Sequence, residues 1–278
     1  MKISTITPCY KGEKYLPLFL QKLPQQTIFD QIEVVLDHNE PTEQEIQMVK
    51  EFQKQYPGRL KHIIVDKVDP IGKSMNRCIK EAQGEYVAIW NIDDLRTPWS
   101  LEAQARVLDE NQDIGVSHGN FIIVPQFGLT EGRFVDHFEV GTSPNKELTR
   151  SMVLGPFFMW RKNLSKTVGY FDEQLVSGAD FDLAIRLAIH SKVGMTSKIL
   201  GYYLDEGKGA STRPENKQLL ERTVIELRYG ILDKIEKRMI DEARSKYNTS
   251  RIYWDEGSSH ITEMIPDYKN FWRSNGRK

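Results

Sequence analysis

The residues best placed to do chemistry stand together at Asn91-Ile92-Asp93-Asp94, directly after the apolar run 85–90. An amide and two adjacent carboxylates at the end of a buried strand, with no run of Lys or Arg beside them, suit a hard divalent cation. Mg²⁺ or Mn²⁺ prefers oxygen ligands, and Mg²⁺ takes its remaining ligands from water and substrate phosphates. A nucleotide diphosphate or sugar nucleotide is therefore the partner this pattern suggests. The same two aspartates would also serve as plain caps of the turn or helix that starts near Pro98. A third carboxylate, Asp37, ends the run 33–36. It would either accept a hydrogen bond from a base or ribose, or hold the turn into His38-Asn39-Glu40-Pro41. Gly72-Lys73-Ser74 looks like part of a phosphate loop, but that motif needs Gly at 67, where Lys67 stands, and no G-x-G-x-x-G follows the first strand. The six histidines show no ligand spacing such as H-x-x-x-H, so the spacing does not point to zinc. Cys9 and Cys78 read as small buried residues.

The elements that must position these groups follow from apolar periodicity. Residues 2–7, 32–36, 60–65 and 85–90 are short runs rich in Ile and Val, and each predicts a strand. Helical spacing separates them at 15–23, 43–56 and 71–83. In the last, Ile71, Met75, Cys78, Ile79 and Ala82 make one apolar face, and Gly84 reads as a stop. Alternation of this kind implies an α/β fold, a mostly parallel sheet flanked by helices, with ligands at the carboxyl ends of its strands. After Asp94 the rhythm changes. A helix is expected over 98–110, strand-like pieces at 115–117, 120–124, 132–138 and 157–161, and a helix over 180–191. Residues 204–214 read as a mobile loop and 215–246 as one long amphipathic helical pattern.

The whole composition bounds the function classes. The 278 residues carry 38 Lys and Arg against 39 Asp and Glu, a balance that gives no electrostatic case for nucleic acid. Two cysteines exclude a disulfide scaffold and suit a reducing, cytoplasmic setting. Mean hydropathy is −0.51, and no window of the sequence predicts a transmembrane helix. The tail 269–278, with Phe271 and Trp272 among four basic residues, reads as a peripheral contact, which would be at the inner face of the membrane. The apolar stripe of 215–246 predicts burial against its own domain or against a second copy, as a homodimer.

The ordered set of motifs resembles the family-two glycosyltransferases of the GT-A fold. It comprises Thr7-Pro8-Cys9-Tyr10, Asp37 after the second strand, and 71–76 leading into Ala82-Gln83-Gly84-Glu85-Tyr86. Asn91-Ile92-Asp93-Asp94 with Pro98 and Leu101 follows, then 158–162, 168–173 and Gly178-Ala179-Asp180-Phe181-Asp182-Leu183. The likeness spans about 2–212. It implies a GT-A domain over 1–212, with a nucleotide-binding half at about 1–97 and an acceptor half at about 98–212, and leaves 213–278 as a helical C-terminal extension. It further implies an inverting glycosyltransferase acting in glycan or polysaccharide synthesis. Such an enzyme moves a sugar from a nucleoside-diphosphate donor, a UDP-sugar foremost, to an acceptor hydroxyl with Mn²⁺ or Mg²⁺.

Carried over by position, the resemblance assigns nucleoside contacts to Pro8, Tyr10 and Asp37, with Asn76 shaping the same pocket. It sets Asn91 and Asp94 near ribose and diphosphate, makes Asp93 the principal metal ligand, and makes Asp180 the general base. Asp180 would otherwise be a first-turn carboxylate favoured by the helix dipole. Asp205 falls near a metal-completing position. Trp160 is a candidate for stacking on the acceptor sugar, although an aromatic on such a strand is more often core. Lys208 and Arg213, in the glycine-containing loop 204–214, are expected to close over the donor diphosphate. The pattern departs from the family at Asn91, Met75 and Ala179, which keeps a catalytically silent sugar-nucleotide binder as the alternative. A nucleotidyltransferase is a further one, for which 8–13 is a poor phosphate loop.

Overall fold

A computed structural model describes residues 1–136, 154–207, 217–230, 236–254 and 257–264. The first half alternates as the periodicity predicts: β1 (Ile3–Cys9), α1 (Leu16–Lys22), β2 (Ile32–Asn39), α2 (Glu43–Gln55), β3 (Leu60–Val65), α3 (Ile71–Glu81) and β4 (Tyr86–Ile89). β2 is buried along its whole length and β1 at all but one residue, as expected of central parallel strands covered on both faces. α2 opens on a capping box in which the Thr42 hydroxyl accepts from Glu45 N and the Glu45 carboxylate accepts from Thr42 N. α3 buries Met75, Cys78 and Ile79 against the sheet, whereas Ile71, expected on the same face, is exposed in the first turn. Gly84 does more than stop the helix. Its N–H donates to Ser4 Oγ at 2.7 Å, and a Cβ there would lie 2.6 Å from the Ser4 backbone nitrogen, so only glycine lets the chain pass this close to β1.

The second half continues with β5 (Leu95–Arg96), α4 (Ser100–Glu110), β6 (Ile114–Val124), β7 (Arg133–Val135), β8 (Met159–Arg161), α5 (Ser165–Val168), α6 (Ala179–His190) and β9 (Lys192–Leu204). The sheet order is β3-β2-β1-β4-β8-β6-β9-β5, with β7 on β6. The β3-β2-β1-β4 portion is parallel; β8 then runs antiparallel to both β4 and β6, and β6 pairs with β9 in parallel. Two strand-like pieces expected at 115–117 and 120–124 are one strand, β6. Its 13-residue partner β9 pairs with it through register shifts near Gly119 and Asn120.

The C-terminal region differs from its expected form. The long amphipathic pattern is two helices, α7 (Lys217–Tyr229) and α8 (Lys237–Lys246), because Gly230 takes φ +68° and ends the first. A hairpin, β10 (Arg251–Trp254) and β11 (Gly257–His260), and one turn of helix, α9 (Ile261–Met264), follow. The apolar stripe of α7 is spent on its own chain: Leu220, Val224, Ile225 and Tyr229 share one core with Val168, Phe171, Leu183 and Leu187. Among the described residues no helix is long and apolar enough to cross a membrane. The tail 269–278 lies outside the described residues.

Candidate active site

The carboxyl ends of β2, β1 and β4 lie side by side, and the residues singled out in the sequence stand there. In the β1–β2 register Pro8 faces Asp37. Tyr10, just beyond β1, is 43% exposed, and the Lys11 ammonium lies 5.1 Å from its ring centre. Asp37 is fully buried and already engaged: Arg77 donates to it through Nε at 2.6 Å and Nη2 at 2.9 Å, and Asn39 Nδ2 donates at 2.7 Å. Arg77 also reaches Asp69 at 2.6 Å, and these acceptors hold its guanidinium firmly protonated. The face open to a ligand beside Asp37 is therefore the partly exposed edge of Arg77. Arg77 occupies the position next to Met75-Asn76, so the basic partner of Asp37 is present, shifted along α3.

Asn76 works elsewhere. Its amide donates to Phe171 O at 3.0 Å and Glu173 Oε1 at 2.8 Å, and its oxygen accepts from Phe171 N at 2.8 Å. It ties α3 to the turn that precedes α6 and spends its polar atoms there. Trp160 is fully buried, pairs across β4 with Val87, and donates its indole N–H to Ser165 Oγ at 3.1 Å. That corrects its candidacy for sugar stacking, since a core indole with a satisfied N–H has no face to offer.

After β4 the chain turns at Asn91–Asp94, and the two acidic groups differ in setting. Asp94 is 2% exposed; it accepts from Leu204 N at 3.1 Å and from Asn91 Nδ2 at 3.2 Å. Burial, then the neighbouring Asp93 charge, pushes its carboxyl well above the ordinary range. Asp93 is half-buried, and burial followed by the Glu206 charge raises it too, against the opposing charge of Lys14. Asn91 Oδ1 is buried with no hydrogen-bond partner among the described residues. Two carboxylates strained by negative charge and an unpartnered amide oxygen beside them form a donor set that fits Mg²⁺ or Mn²⁺.

The rest of the cluster arrives on β9. β5 pairs antiparallel with it, Leu95 opposite Tyr202, so the strand end 202–204 lies against the 91–94 turn. Tyr203 is the residue the sequence reading missed. Burial, and then the charges of Asp94, Asp180, Asp205 and Asp93 in that order, push its phenol up to about 12. One hydroxyl thus feels the charges of four of the five aspartates named from the sequence, although these four span more than a hundred residues. Asp205 itself is exposed; its N–H donates to Val124 O at 2.9 Å and its carboxylate accepts from Gly207 N at 3.1 Å. Glu206 pairs with Lys14 at 2.7 Å. Lys208 and Arg213 lie outside the described residues.

Asp180 opens α6. Its Oδ1 accepts from Phe181 N at 2.8 Å, and burial raises its carboxyl above the ordinary range, with Glu221 adding to the rise. The loop leading to it is held by Glu221 of α7, whose Oε1 accepts from Val176 N at 2.9 Å. The other oxygen, Oε2, accepts from Ser177 N at 2.7 Å and Gly178 N at 2.8 Å. Beneath, Arg228 of α7 bridges two fully buried carboxylates, Asp182 and Asp172, at 2.7 Å each. Arg186 and the Tyr229 hydroxyl also bond Asp182. Neither Glu221 nor Arg228 carries a sequence signal beyond a charge inside an amphipathic helix, which ordinarily marks a solvated face.

Residues 4–169, more than half of the chain, match the family described as Glycosyl transferase family 2. The chain belongs to that family. Over 215 residues the family member is 26% identical to the poly(ribitol-phosphate) beta-N-acetylglucosaminyltransferase TarS of Staphylococcus aureus, covering 75% of this chain and 36% of that one. It thus spans about a third of that relative's length. The crystal structure of S. aureus TarS 1–349 in complex with UDP-GlcNAc has a TM-score of 0.67 at 23% identity, over 99% of this chain and 75% of that one. The mannosyltransferase PcManGT from Pyrobaculum calidifontis, in complex with GDP-Man and Mn²⁺, gives 0.60 at 12% identity, over 98% and 74%. At these identities the likeness shows the fold, which is the GT-A type.

Proposed function

We propose that the chain is an inverting, metal-dependent glycosyltransferase that moves a sugar from a nucleoside-diphosphate donor to an acceptor hydroxyl. The observation that carries this is the turn 91–94 at the carboxyl edge of the parallel strands, in a family-2 chain: β9 closes on it through Leu204 N and Asp94, and the buried Asn91 Oδ1 beside the two carboxylates has no partner among the described residues. A UDP-sugar is the favoured donor, in keeping with the UDP-GlcNAc complex of S. aureus TarS. The role in glycan synthesis and the hydroxyl acceptor rest on the family resemblance alone.

Pro8, Tyr10 and the Asp37–Arg77 pair would hold the nucleoside end, and Asn91 and Asp94 the ribose and diphosphate. Asp93, with the unpartnered Asn91 Oδ1, would hold the cation, and Asp205, just after β9, would assist. When bound, Mn²⁺ or Mg²⁺ would supply positive charge against the departing diphosphate. Asp180 takes the proton of the acceptor hydroxyl as that oxygen attacks the anomeric carbon and the bond from carbon to the diphosphate oxygen breaks. One displacement opposite the leaving group inverts the configuration. A carboxyl raised by burial is a stronger base than an exposed one, which suits this role.

The nucleotidyltransferase reading has little support, because the Gly12 N–H after β1 donates to Glu45 Oε1 at 2.6 Å instead of facing an open phosphate cradle. The silent-binder reading is separated by experiment. The purified chain is incubated with UDP-, GDP- and dTDP-sugars, Mn²⁺ and a panel of glycan acceptors, and release of nucleoside diphosphate and product anomeric configuration are measured. Metal-dependent transfer with inversion is expected. Donor binding without any turnover would leave only the silent binder, and retention would remove Asp180 from the role of single base.

A further inference from the structure

Three side chains that the glycosyl-transfer reading does not use meet behind the donor edge. Cys9 ends β1, His38 is its register partner on β2, and Glu45 lies in the first turn of α2. One ligand atom from each lies within 4.8 Å of the other two, and His38 Nε2 is 3.6 Å from Glu45 Oε2. All three are buried, at 2%, 0% and 1% exposure. His38 Nε2 has no hydrogen-bond partner among the described residues, while Nδ1 faces His62 Nε2 at 3.1 Å. With the proton on Nδ1, shared toward His62, the Nε2 lone pair is directed into the cluster, as an outer partner does for a metal-ligating histidine. Gly12 leaves the room: a Cβ there would lie 2.7 Å from Cys9 Sγ and 3.3 Å from Glu45 Oε1.

Hydrogen bonds hold the carboxylate in place. The Glu45 carboxylate accepts from Gly12 N at 2.6 Å through Oε1 and from Thr42 N at 2.8 Å through Oε2, which fixes its place beside Cys9 and His38. A thiolate, a neutral imidazole and a carboxylate sum to two negative charges, which a dication would cancel.

We propose that Cys9, His38 and Glu45 form a binding site for zinc, separate from the oxygen-donor site at Asp93. A sulfur, nitrogen and oxygen donor set selects Zn²⁺ over Mg²⁺ or Mn²⁺. Binding forms the bond from sulfur to metal as the Cys9 thiol gives its proton to solvent, one proton per ion. The ion fastens β1, β2 and α2 together directly beneath Tyr10 and Asp37. Spacing in the sequence does not show this site, because two strands and a helix contribute one ligand each.

The full chain, stripped with a chelator, is titrated with Co²⁺ and then Zn²⁺ while absorbance and proton release are followed. One Co²⁺ per chain with a thiolate-to-cobalt charge-transfer band, displaced by Zn²⁺ with one proton released per ion bound to the stripped chain, is expected. The band should persist in Cys78→Ala and Asp93→Asn and vanish in Cys9→Ala. Glu45→Gln, which keeps a side chain able to form the capping box, should weaken it. Zn²⁺ should raise the Tm of the wild type but not of Cys9→Ala. Absence of the band, its survival in Cys9→Ala, or binding abolished only by Asp93→Asn would overturn the proposal.

Discussion

The proposed reaction gives Asp93 and Asp180 different roles, and their substitution should separate them. Asp180→Asn keeps shape and the bond from Phe181 N but removes the basic oxygen. Turnover should fall by about 10²-fold or more while donor affinity measured by calorimetry stays within a few-fold. Asp93→Ala should leave a cooperative melt and abolish the Mn²⁺-dependent part of donor binding. The pH dependence follows from the raised carboxyls. Asp93 and Asp94 titrate above the ordinary range, so from that range up to their folded values the folded chain holds more protons than the unfolded one. Stability from these groups is therefore lost as pH rises through the window. A cation held at Asp93 as proposed would displace the same protons, so the Mn²⁺-induced rise in Tm should grow from acidic to neutral pH, and it should vanish in Asp93→Ala at every pH.

At the scale of elements, α7 joins the loop before Asp180 to the C-terminal region. Glu221 satisfies three backbone N–H groups at 176–178, two residues before Asp180. Glu221→Ala should cost about 1–3 kcal/mol for each donor it strands, nearer the lower figure where solvent reaches the loop. With Asp180 as the proposed base and Glu221 positioning the loop before it, kcat should fall while the KM for the donor changes little, and Glu221→Gln should restore part of the loss. Arg228→Met is a harsher change. It removes the cation shared by two fully buried carboxylates, leaving Arg186 as the sole charge on Asp182 and none on Asp172 among the described ion pairs, and should destabilise by about 3–5 kcal/mol in chemical denaturation.

For the whole molecule, the consequence is that 217–264 is part of the folding unit. Leu220, Val224, Tyr229, Ile252 and Ile261 share a core with the sheet's own Val87, Val116 and Val193. A chain cut after residue 212 should be recovered insoluble or without a cooperative melting transition, whereas independent folding of 1–212 would show up as a sharp transition. Acid sensitivity is a second global property. Burial, together with the charges of His38 and Lys50, pushes His62 down to about 4 from an ordinary 6.5, and His38 is lowered beside it. The unfolded chain takes up these protons first, so stability from the neutral pair is present above about 6.5 and declines as pH falls toward 4. The decline in Tm across that window should be shallower in His62→Gln.

Much of this protein follows from local pattern. Strand and helix periods over 1–110 identify the α/β class, because short runs rich in Ile and Val alternate there with helical spacing, the pattern of parallel strands covered by helices. Asp93, Asp94 and Asp37 were legible as strand-end carboxylates, and Asp180 through the ordered resemblance. Other features depended on distance in space. Trp160 and Asn76 read as site residues because type and position do not reveal which way a side chain faces, and the fold turned both inward. Tyr203, Glu221, Arg228 and the Cys9–His38–Glu45 cluster had no signature at all. Their roles arise where β9 returns to the 91–94 turn, where α7 docks beside α6, and where β1, β2 and α2 meet. Those juxtapositions come from long-range packing, and a charge or thiol acquires its chemistry only from the neighbours that packing brings to it.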